Sequence, residues 1–166
     1  METIFAPWRT AYIRGEKPDG CVLCRDSLRG EELVVCEGKS AYIMVNRYPY
    51  TGGHLLVAPR EHAASVSGLD PATLAELMQL SARAVAVLER VYGPHGFNLG
   101  INQGRPAGAG IPDHVHLHVV PRWFGDTNFM TTVGGTRVVS EDLPSAWRAI
   151  RDGFAARSPR PGNDPK

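Results

Sequence analysis

Three histidines alternate with apolar residues in the segment HVHLHVV at residues 114–120. Successive side chains of an extended strand point to opposite faces, so the spacing predicts three imidazoles on one face. The valine and leucine side chains between them would pack against a helix layer. Imidazoles have no comparable packing role, because a buried ring needs a partner for every nitrogen. The histidines therefore indicate a functional site, beside the Gly-rich loop at 104–110.

The spacing of these histidines limits what they can do together. Residues two apart on a strand are separated by roughly 6.5–7 Å, so all three cannot bind one metal ion without strong bending, although two could. Three separate tasks suit the spacing better, and a neutral imidazole is a good nucleophile near pH 7. A metallohydrolase with His114 and His116 on a catalytic metal is an alternative. No carboxylate or Asp-His pair with matching spacing follows to complete such a site.

Cys21 and Cys24 form a Cys-x-x-Cys pair near the N-terminus, and His62 and His114 lie downstream. Two thiolates and two imidazoles make a closed, structural tetrahedral Zn²⁺ site. In a chain without a secretion signal, this spacing favours metal binding over a disulfide framework. An inert thiol pair or a redox pair are the alternatives, but no thioredoxin-like pattern surrounds the cysteines. Cys36, inside an apolar run, is expected to be a small core residue.

Composition points to one cytoplasmic domain. The chain has 166 residues, 43% of them hydrophobic, which suits a single core. Its 18 basic and 17 acidic residues give a net charge of +1, which argues against a generic nucleic-acid partner but not against a small anion. The N-terminus does not resemble a signal peptide, and no apolar run is long enough to span a bilayer. We therefore expect no membrane partner.

The apolar pattern predicts an α+β domain, an antiparallel sheet of about five strands with one long and one shorter helix. The long helix begins at Asp70-Pro71 and ends before Gly93. Its inward stripe is expected to contain Leu74, Leu77, Met78, Ala84 or Val85, Leu88 and Val91, with Ser81 as a small polar gap. The predicted strands are 33–36, 41–45, 55–58, 97–101 and 114–120, and the shorter helix covers about 141–155 with Trp147, Ile150 and Phe154 inward.

The segment 114–120 matches the signature of the histidine triad (HIT) superfamily, His-φ-His-φ-His-φ-φ with φ apolar. Asn46 lies eight residues before His54 in NRYPYTGGHLLVAP, and Gln103 lies eleven residues before His114. Both placements resemble the fragile-histidine-triad (Fhit) branch, and PRWFGDTNFM resembles bacterial proteins related to diadenosine tetraphosphate phosphorylases. The resemblance covers roughly residues 8–139. It implies a single HIT domain at 1–157, with a zinc-binding segment at about 8–30; the Pro- and Gly-rich tail at 158–166 is expected to be disordered.

The resemblance implies a two-step reaction at the α-phosphorus of a nucleotide. His116 would attack phosphorus and form a covalent nucleotidyl-histidine, which water, phosphate or another acceptor would then cleave. His118 would donate a hydrogen bond to the phosphate or leaving group, and His54 would support the same site. The attacking nitrogen of His116 must be unprotonated, so its other ring nitrogen needs an acceptor, expected to be a backbone carbonyl near His114.

The resemblance also implies the contacts that hold the substrate, here adenine nucleotides. Asn46 resembles the residue that binds the ribose. Gln103 resembles the amide that contacts the phosphates, and Asn102 takes that role if the loop before the triad carries one extra residue. In the same loop, Gly108 and Gly110 would let backbone N–H groups approach the phosphate oxygens, because residues without bulk allow the chain to come close.

The resemblance also implies a bound zinc ion and a homodimer. Some members of the superfamily bind zinc with the first triad histidine as the fourth ligand, which corresponds to His114 here. Members are commonly homodimers that continue one sheet across the interface. No organic cofactor is implied.

The expected activity is hydrolysis or nucleotidyl transfer on dinucleoside polyphosphates. Three alternatives stay open: a diadenosine tetraphosphate phosphorylase, a nucleoside phosphoramidate hydrolase, and a nucleotide-binding protein with little turnover. Related phosphorylases carry a hydroxyl residue just before the triad, whereas this chain reads Gly110-Ile111-Pro112-Asp113. This departure counts against phosphorolysis and leaves hydrolysis or transfer open.

Overall fold

A computed structural model describes residues 20–28, 33–127 and 139–156. The predicted tail at 158–166 lies outside the described residues, as does most of the predicted zinc-binding segment. None of the described helices is both long and apolar enough to cross a membrane. The elements are β1 (Val34–Glu37), β2 (Ala41–Val45), β3 (Leu55–Pro59), α1 (Pro71–Tyr92), β4 (Gly96–Ile101), β5 (Leu117–Arg122) and α2 (Leu143–Ala155), with short 3₁₀ turns at Arg25–Leu28, Val66–Gly68 and Arg105–Ala107.

The five strands form one antiparallel sheet in the order β1-β2-β3-β5-β4. The predicted α+β class is therefore confirmed. Strand β5 inserts between β3 and β4, which places Leu55 opposite Val119 and Leu56 opposite His118. Because His54 immediately precedes β3, this register brings it to the histidines of the 114–118 segment.

Helix α1 packs on one face of the sheet and forms the main core with it. Asp70 caps its first turn by accepting from the backbone N–H groups of Ala72 and Thr73, and Gly93 ends it in the left-handed region at φ 55°. Ser81 is buried and donates to the carbonyl of Leu77, as a small polar gap in the stripe can. The prediction for Met78 was wrong, since this side chain is 57% exposed. The buried stripe instead contains Thr73, Leu77, Leu80, Ser81, Ala84, Val87 and Leu88.

The opposite face of the sheet is covered by the segment that contains Cys21 and Cys24. Leu23 and Leu28 form a second apolar cluster with side chains of β2 and β3. Tyr42 of β2 donates its hydroxyl hydrogen to the carbonyl of Leu23. The sheet therefore separates a helix layer from the Cys-x-x-Cys segment, and its second face carries the polar site.

Strand β5 starts three residues later than the sequence pattern predicts, at Leu117 rather than His114. Its pairing with β3 ends at the pair Val57 and Leu117. Pro59 has no N–H, so it cannot donate a hydrogen bond that would extend this pairing towards His114. The carbonyl of His114 instead accepts from the ring of His116. The strand continues two residues past its predicted end, where Arg122 pairs with Gly96. His114 is thus released from strict alternation and can face a different site from His116.

Candidate active site and metal site

His116 has one ring nitrogen bound and the other exposed to a ligand. Its Nδ1 lies 2.8 Å from the carbonyl oxygen of His114, as expected from the sequence. A carbonyl only accepts, so Nδ1 carries the hydrogen and Nε2 of the neutral ring holds the lone pair. Nε2 bonds to none of the described residues, and among those residues no buried side-chain nitrogen or oxygen lacks a partner. Nε2 is therefore accessible from outside, although the His116 residue as a whole is only 5% exposed.

Burial keeps His116 and His118 uncharged. Desolvation lowers the pKa of His116, although the bond to the His114 carbonyl opposes that shift. Desolvation, together with repulsion from His116, lowers the pKa of His118 from 6.5 to about 4. Both rings are therefore neutral at pH 7, the state that a nitrogen nucleophile requires.

His54 joins His118 behind the nucleophile. Nε2 of His54 lies 3.0 Å from Nδ1 of His118, and His54 is fully buried. The other nitrogen of His54, Nδ1, lies 3.2 Å from the side-chain nitrogen of Asn46 and 3.0 Å from the backbone nitrogen of Tyr50. Three residues predicted for the site, Asn46, His54 and His118, are thus connected in one hydrogen-bonded chain.

Tyr50 belongs to this site, and sequence reasoning missed it. Its ring centroid lies 4.6 Å from that of His54 and 5.7 Å from that of His118. The planes of the Tyr50 and His118 rings are 21° from parallel. The tyrosine is 44% exposed, so its ring forms part of the open wall beside the two histidines. An aromatic residue four positions before His54, in a turn that approaches the triad, was the signal that could have found it.

The register of β4 separates the two amides that the sequence left as alternatives. Gly100 pairs with His118 and Ile101 with Leu117, so Asn102 is next in line on the His118 face if the chain stays extended. Gln103 turns elsewhere: its side-chain oxygen accepts from the Val66 N–H at 3.1 Å and from the Ser65 hydroxyl at 3.2 Å. These contacts favour Asn102 over Gln103 as the phosphate amide, a role that stays a prediction.

The Gly-rich loop uses several of its N–H groups internally. Those of Ala107 and Ala109 bond to the carbonyl of Gly104, and that of Gly108 bonds to the carbonyl of Arg105. Gly108 lies in the left-handed region at φ 86°, which glycine adopts without strain. The loop is therefore preshaped by its own bonds, and phosphate binding through Gly108 and Gly110 stays a prediction.

The four predicted zinc ligands come together. The ligand atoms of Cys21, Cys24, His62 and His114 all lie within 4.8 Å of one another, as the one such group found in the described ranges. Sγ of Cys21 lies 3.3 Å from Nδ1 of His114, and Sγ of Cys24 lies 3.4 Å from Nδ1 of His62 and 3.9 Å from Nδ1 of His114. Tetrahedral bonds to zinc place S and N ligand atoms roughly 3.3–3.8 Å apart. The four ligand atoms are therefore close enough together to bind one zinc ion.

A further contact prepares His114 for this role. Its Nε2 lies 2.9 Å from the carbonyl oxygen of Pro59, which fixes the hydrogen on Nε2 and leaves the Nδ1 lone pair towards the cysteines. Burial lowers the pKa of His114, which also favours the neutral, metal-binding form. His116 is not a member of the cluster. The arrangement therefore favours separate metal and nucleophile sites over a catalytic metal shared by His114 and His116.

Comparison with known proteins agrees with this fold. Residues 29–125, more than half of the chain, match the family model described as the HIT domain. The chain therefore belongs to the HIT domain family, as the alternating histidines and the five-stranded sheet indicated.

Particular relatives give more detail. A Mycobacterium tuberculosis protein named AP-4-A phosphorylase is 42% identical over 125 residues, 75% of this chain and 64% of that protein, so this chain spans less than two thirds of its length. A Schizosaccharomyces pombe protein named bis(5'-nucleosyl)-tetraphosphatase [asymmetrical] is 34% identical over 84 residues, 51% of this chain and 46% of that protein. The crystal structure of a Zn-bound histidine triad family protein from Mycobacterium smegmatis superposes with a TM-score of 0.67 at 26% identity, covering 82% of this chain and 94% of that one.

Proposed function

We propose that this chain is an enzyme that cleaves dinucleoside polyphosphates, such as diadenosine tri- or tetraphosphate, at an α-phosphorus through a covalent nucleotidyl-His116 intermediate. The observation that carries the proposal is the Nδ1 bond of His116 to the His114 carbonyl, which directs the Nε2 lone pair outward. Two relatives support the substrate class, since they are named AP-4-A phosphorylase and bis(5'-nucleosyl)-tetraphosphatase.

The first step is a displacement at phosphorus. Nε2 of His116 forms a bond to the α-phosphorus while the bond from phosphorus to the bridging oxygen breaks, and its electron pair leaves with the polyphosphate. Nδ1–H of His116 stays bonded to the His114 carbonyl and shares the positive charge that develops on the ring. His118 stands next to the nucleophile, with ring centroids 4.9 Å apart, and would donate a hydrogen bond to the departing oxygen.

The second step transfers the nucleotidyl group to an acceptor and restores neutral His116. With water as acceptor the product is AMP, and with inorganic phosphate it is ADP. Our leading proposal is hydrolysis or transfer to another acceptor, because no hydroxyl residue occupies Gly110-Ile111-Pro112-Asp113. Phosphorolysis is the second candidate, favoured by the 42% identity to a protein named AP-4-A phosphorylase.

Product analysis with two substrates tests the proposal. Diadenosine tetraphosphate is incubated with the full chain, with and without inorganic phosphate, and products are separated by chromatography. Hydrolysis predicts AMP plus ATP in both samples, whereas phosphorolysis predicts ADP plus ATP only with phosphate. Adenosine phosphoramidate is tested in parallel, and faster release of AMP from it would favour the phosphoramidate alternative. Binding of nucleotide without turnover of either substrate would contradict an enzymatic role.

We also propose that Cys21, Cys24, His62 and His114 bind a structural Zn²⁺ ion. The two thiols and two imidazoles have suitable spacing, and a structural neighbour is described as Zn-bound. When bound, the ion would supply no step of the reaction but would tie the Cys-x-x-Cys segment to the histidine segment. It would also hold His114 away from the phosphorus, and thereby hold the carbonyl that His116 uses.

A further inference from the structure

The backbone fixes which nitrogen of His54 carries its hydrogen. The Tyr50 N–H points at Nδ1 of His54 over 3.0 Å, and a backbone N–H can only donate. A hydrogen on Nδ1 would meet this donor head-on. In the neutral ring, Nδ1 therefore holds the lone pair and Nε2 carries the hydrogen.

Asn46 supplies a second donor to the same nitrogen. The Tyr48 N–H donates to the side-chain oxygen of Asn46 over 2.9 Å, which fixes the orientation of the amide. The amide nitrogen must then face Nδ1 of His54, 3.2 Å away, and donate to it. Two donors therefore converge on one lone pair: the backbone N–H of Tyr50 and the Asn46 amide, which the backbone N–H of Tyr48 orients.

The consequence passes through His54 to His118. Because Nε2 of His54 carries its hydrogen, it donates to Nδ1 of His118, 3.0 Å away. The neutral His118 ring must then carry its hydrogen on Nε2. This nitrogen bonds to none of the described residues, and His118 is the triad member beside the nucleophile, so the chain ends in a donor directed to a ligand.

We propose that Asn46 is a positioning residue that, with the Tyr50 N–H, sets the direction of this hydrogen-bond chain and keeps His118 a donor at Nε2. The assignment differs from the ribose contact that the resemblance implies for Asn46, because the amide oxygen and one amide N–H are engaged within the protein. Its kinetic consequence rests on the proposed function, whereas the placement of the hydrogens does not.

The hydrogen placement is tested without turnover. Long-range ¹H–¹⁵N spectra of the full, zinc-loaded chain distinguish the Nε2–H from the Nδ1–H form of each imidazole, and His54→Gln and His118→Gln identify the two rings. We expect the Nε2–H form for both. Asn46→Asp replaces one of the two donors to Nδ1 by a carboxylate, whose charge should outweigh the remaining Tyr50 N–H, so His54 should gain a hydrogen on Nδ1. Asn98→Asp is the matched control, since Asn98 is exposed on β4 and accepts from Arg122, and both rings should stay unchanged.

Kinetics separate positioning from ribose binding. The amine of adenosine 5'-phosphoramidate leaves only after protonation, whereas the p-nitrophenyl ester of AMP releases a stable anion. Asn46→Asp should lower kcat for the phosphoramidate at least about tenfold more than kcat for the ester, since donation by a general acid matters only to the first. An equal rise in KM for both substrates with kcat unchanged would overturn the proposal in favour of ribose binding.

The spectra and the kinetics also distinguish two kinds of failure. An Nδ1–H form of His54 in the parent chain, or unchanged rings in Asn46→Asp, would overturn the positioning role whatever the activity. If the parent chain showed the expected hydrogens but turned over neither these substrates nor a dinucleoside polyphosphate, the proposed reaction would fail and the hydrogen placement would stand.

Discussion

His118 is held uncharged by its surroundings, and this makes the stability of the fold depend on pH. Desolvation, followed by repulsion from His116, lowers its pKa from 6.5 to about 4 in the folded chain. Between these two values the unfolded chain binds a proton that the folded chain excludes. The stability contributed by neutral His118 is therefore fully present above pH 6.5 and is lost as the pH falls through 4.

A variant that cannot titrate should escape this loss. His118→Gln keeps an acceptor for His54 but has no charge to gain, so its free energy of unfolding should fall less between pH 6.5 and 4. We expect the difference from the parent chain to be on the order of 2 kcal/mol, measured by urea unfolding at a series of pH values. Parallel curves for the two proteins across this range would show that His118 is not held neutral by the fold.

At the scale of elements, the proposed zinc site would anchor the Cys-x-x-Cys segment. The described part of this segment covers the sheet face opposite α1 with a few apolar side chains, chiefly Leu23 and Leu28. A zinc ion bridging Cys21 and Cys24 to His62 and His114 would add a strong anchor, because metal binding is coupled to folding.

Removal of one ligand tests this anchor. Cys21→Ser should lose most of the zinc, from about one ion per chain, and lower the free energy of unfolding by on the order of 2–4 kcal/mol. Cys36→Ser is the matched control, since Cys36 lies in β1 outside the cluster and should keep its metal. Elemental analysis and thermal melting of both variants give the answer; equal metal content in Cys21→Ser and the parent chain would exclude the assignment.

Much of the element structure could be predicted from local signals. Asp70 and Gly93 set the ends of α1. Short β-prone runs bounded by turn residues, and alternation at 97–101 and 114–120, located each strand within a few residues. The group of four candidate ligands was predictable because Cys-x-x-Cys is a typical ligand pair before any fold is known, and the family resemblance pointed to His114 as a further ligand. These features depend on residues that are close together in sequence, or on residue types such as cysteine and histidine that occur rarely in the chain.

The rest depends on contacts between distant segments, which spacing alone does not reveal. Strand β5 begins at Leu117 because its ladder with β3 ends at Val57, and Pro59 of that neighbouring strand has no N–H to extend it. Gln103 has the expected spacing from the triad, yet the Val66 N–H binds its side chain. Tyr50 lies four residues before His54, but its contact with His118 exists only because β3 lies beside β5, so that contact could not be predicted from its turn alone.

At the scale of the whole molecule, β4 is one of the two edge strands of the sheet formed by the described residues. This strand is last in the sheet order, and its Leu99 and Ile101 are 44% and 38% exposed. An exposed apolar edge strand invites pairing with another chain. We expect two copies to pair through β4 about a two-fold axis and continue the sheet, as the resemblance implies.

Charged side chains on this edge should separate the copies. The double variant Leu99→Lys, Ile101→Lys should have the mass of one chain by light scattering at micromolar concentration, where the parent chain has twice that mass. Met78→Lys is the control, because Met78 is also exposed and apolar but lies on α1, so its association should be unaffected. A monomeric parent chain, or a control that dissociates equally, would refute pairing through β4.

The central claim is that Nε2 of His116 forms the bond to phosphorus, and mass spectrometry of the reacting enzyme tests it most directly. The parent chain and His116→Asn are mixed with diadenosine tetraphosphate and quenched at alkaline pH, where a phosphorus–nitrogen bond survives. We predict an AMP adduct on the peptide that contains His116 in the parent chain, and none in the variant, with turnover lowered at least about a thousandfold. An adduct on another residue, or turnover by His116→Asn within tenfold of the parent rate, would contradict the account.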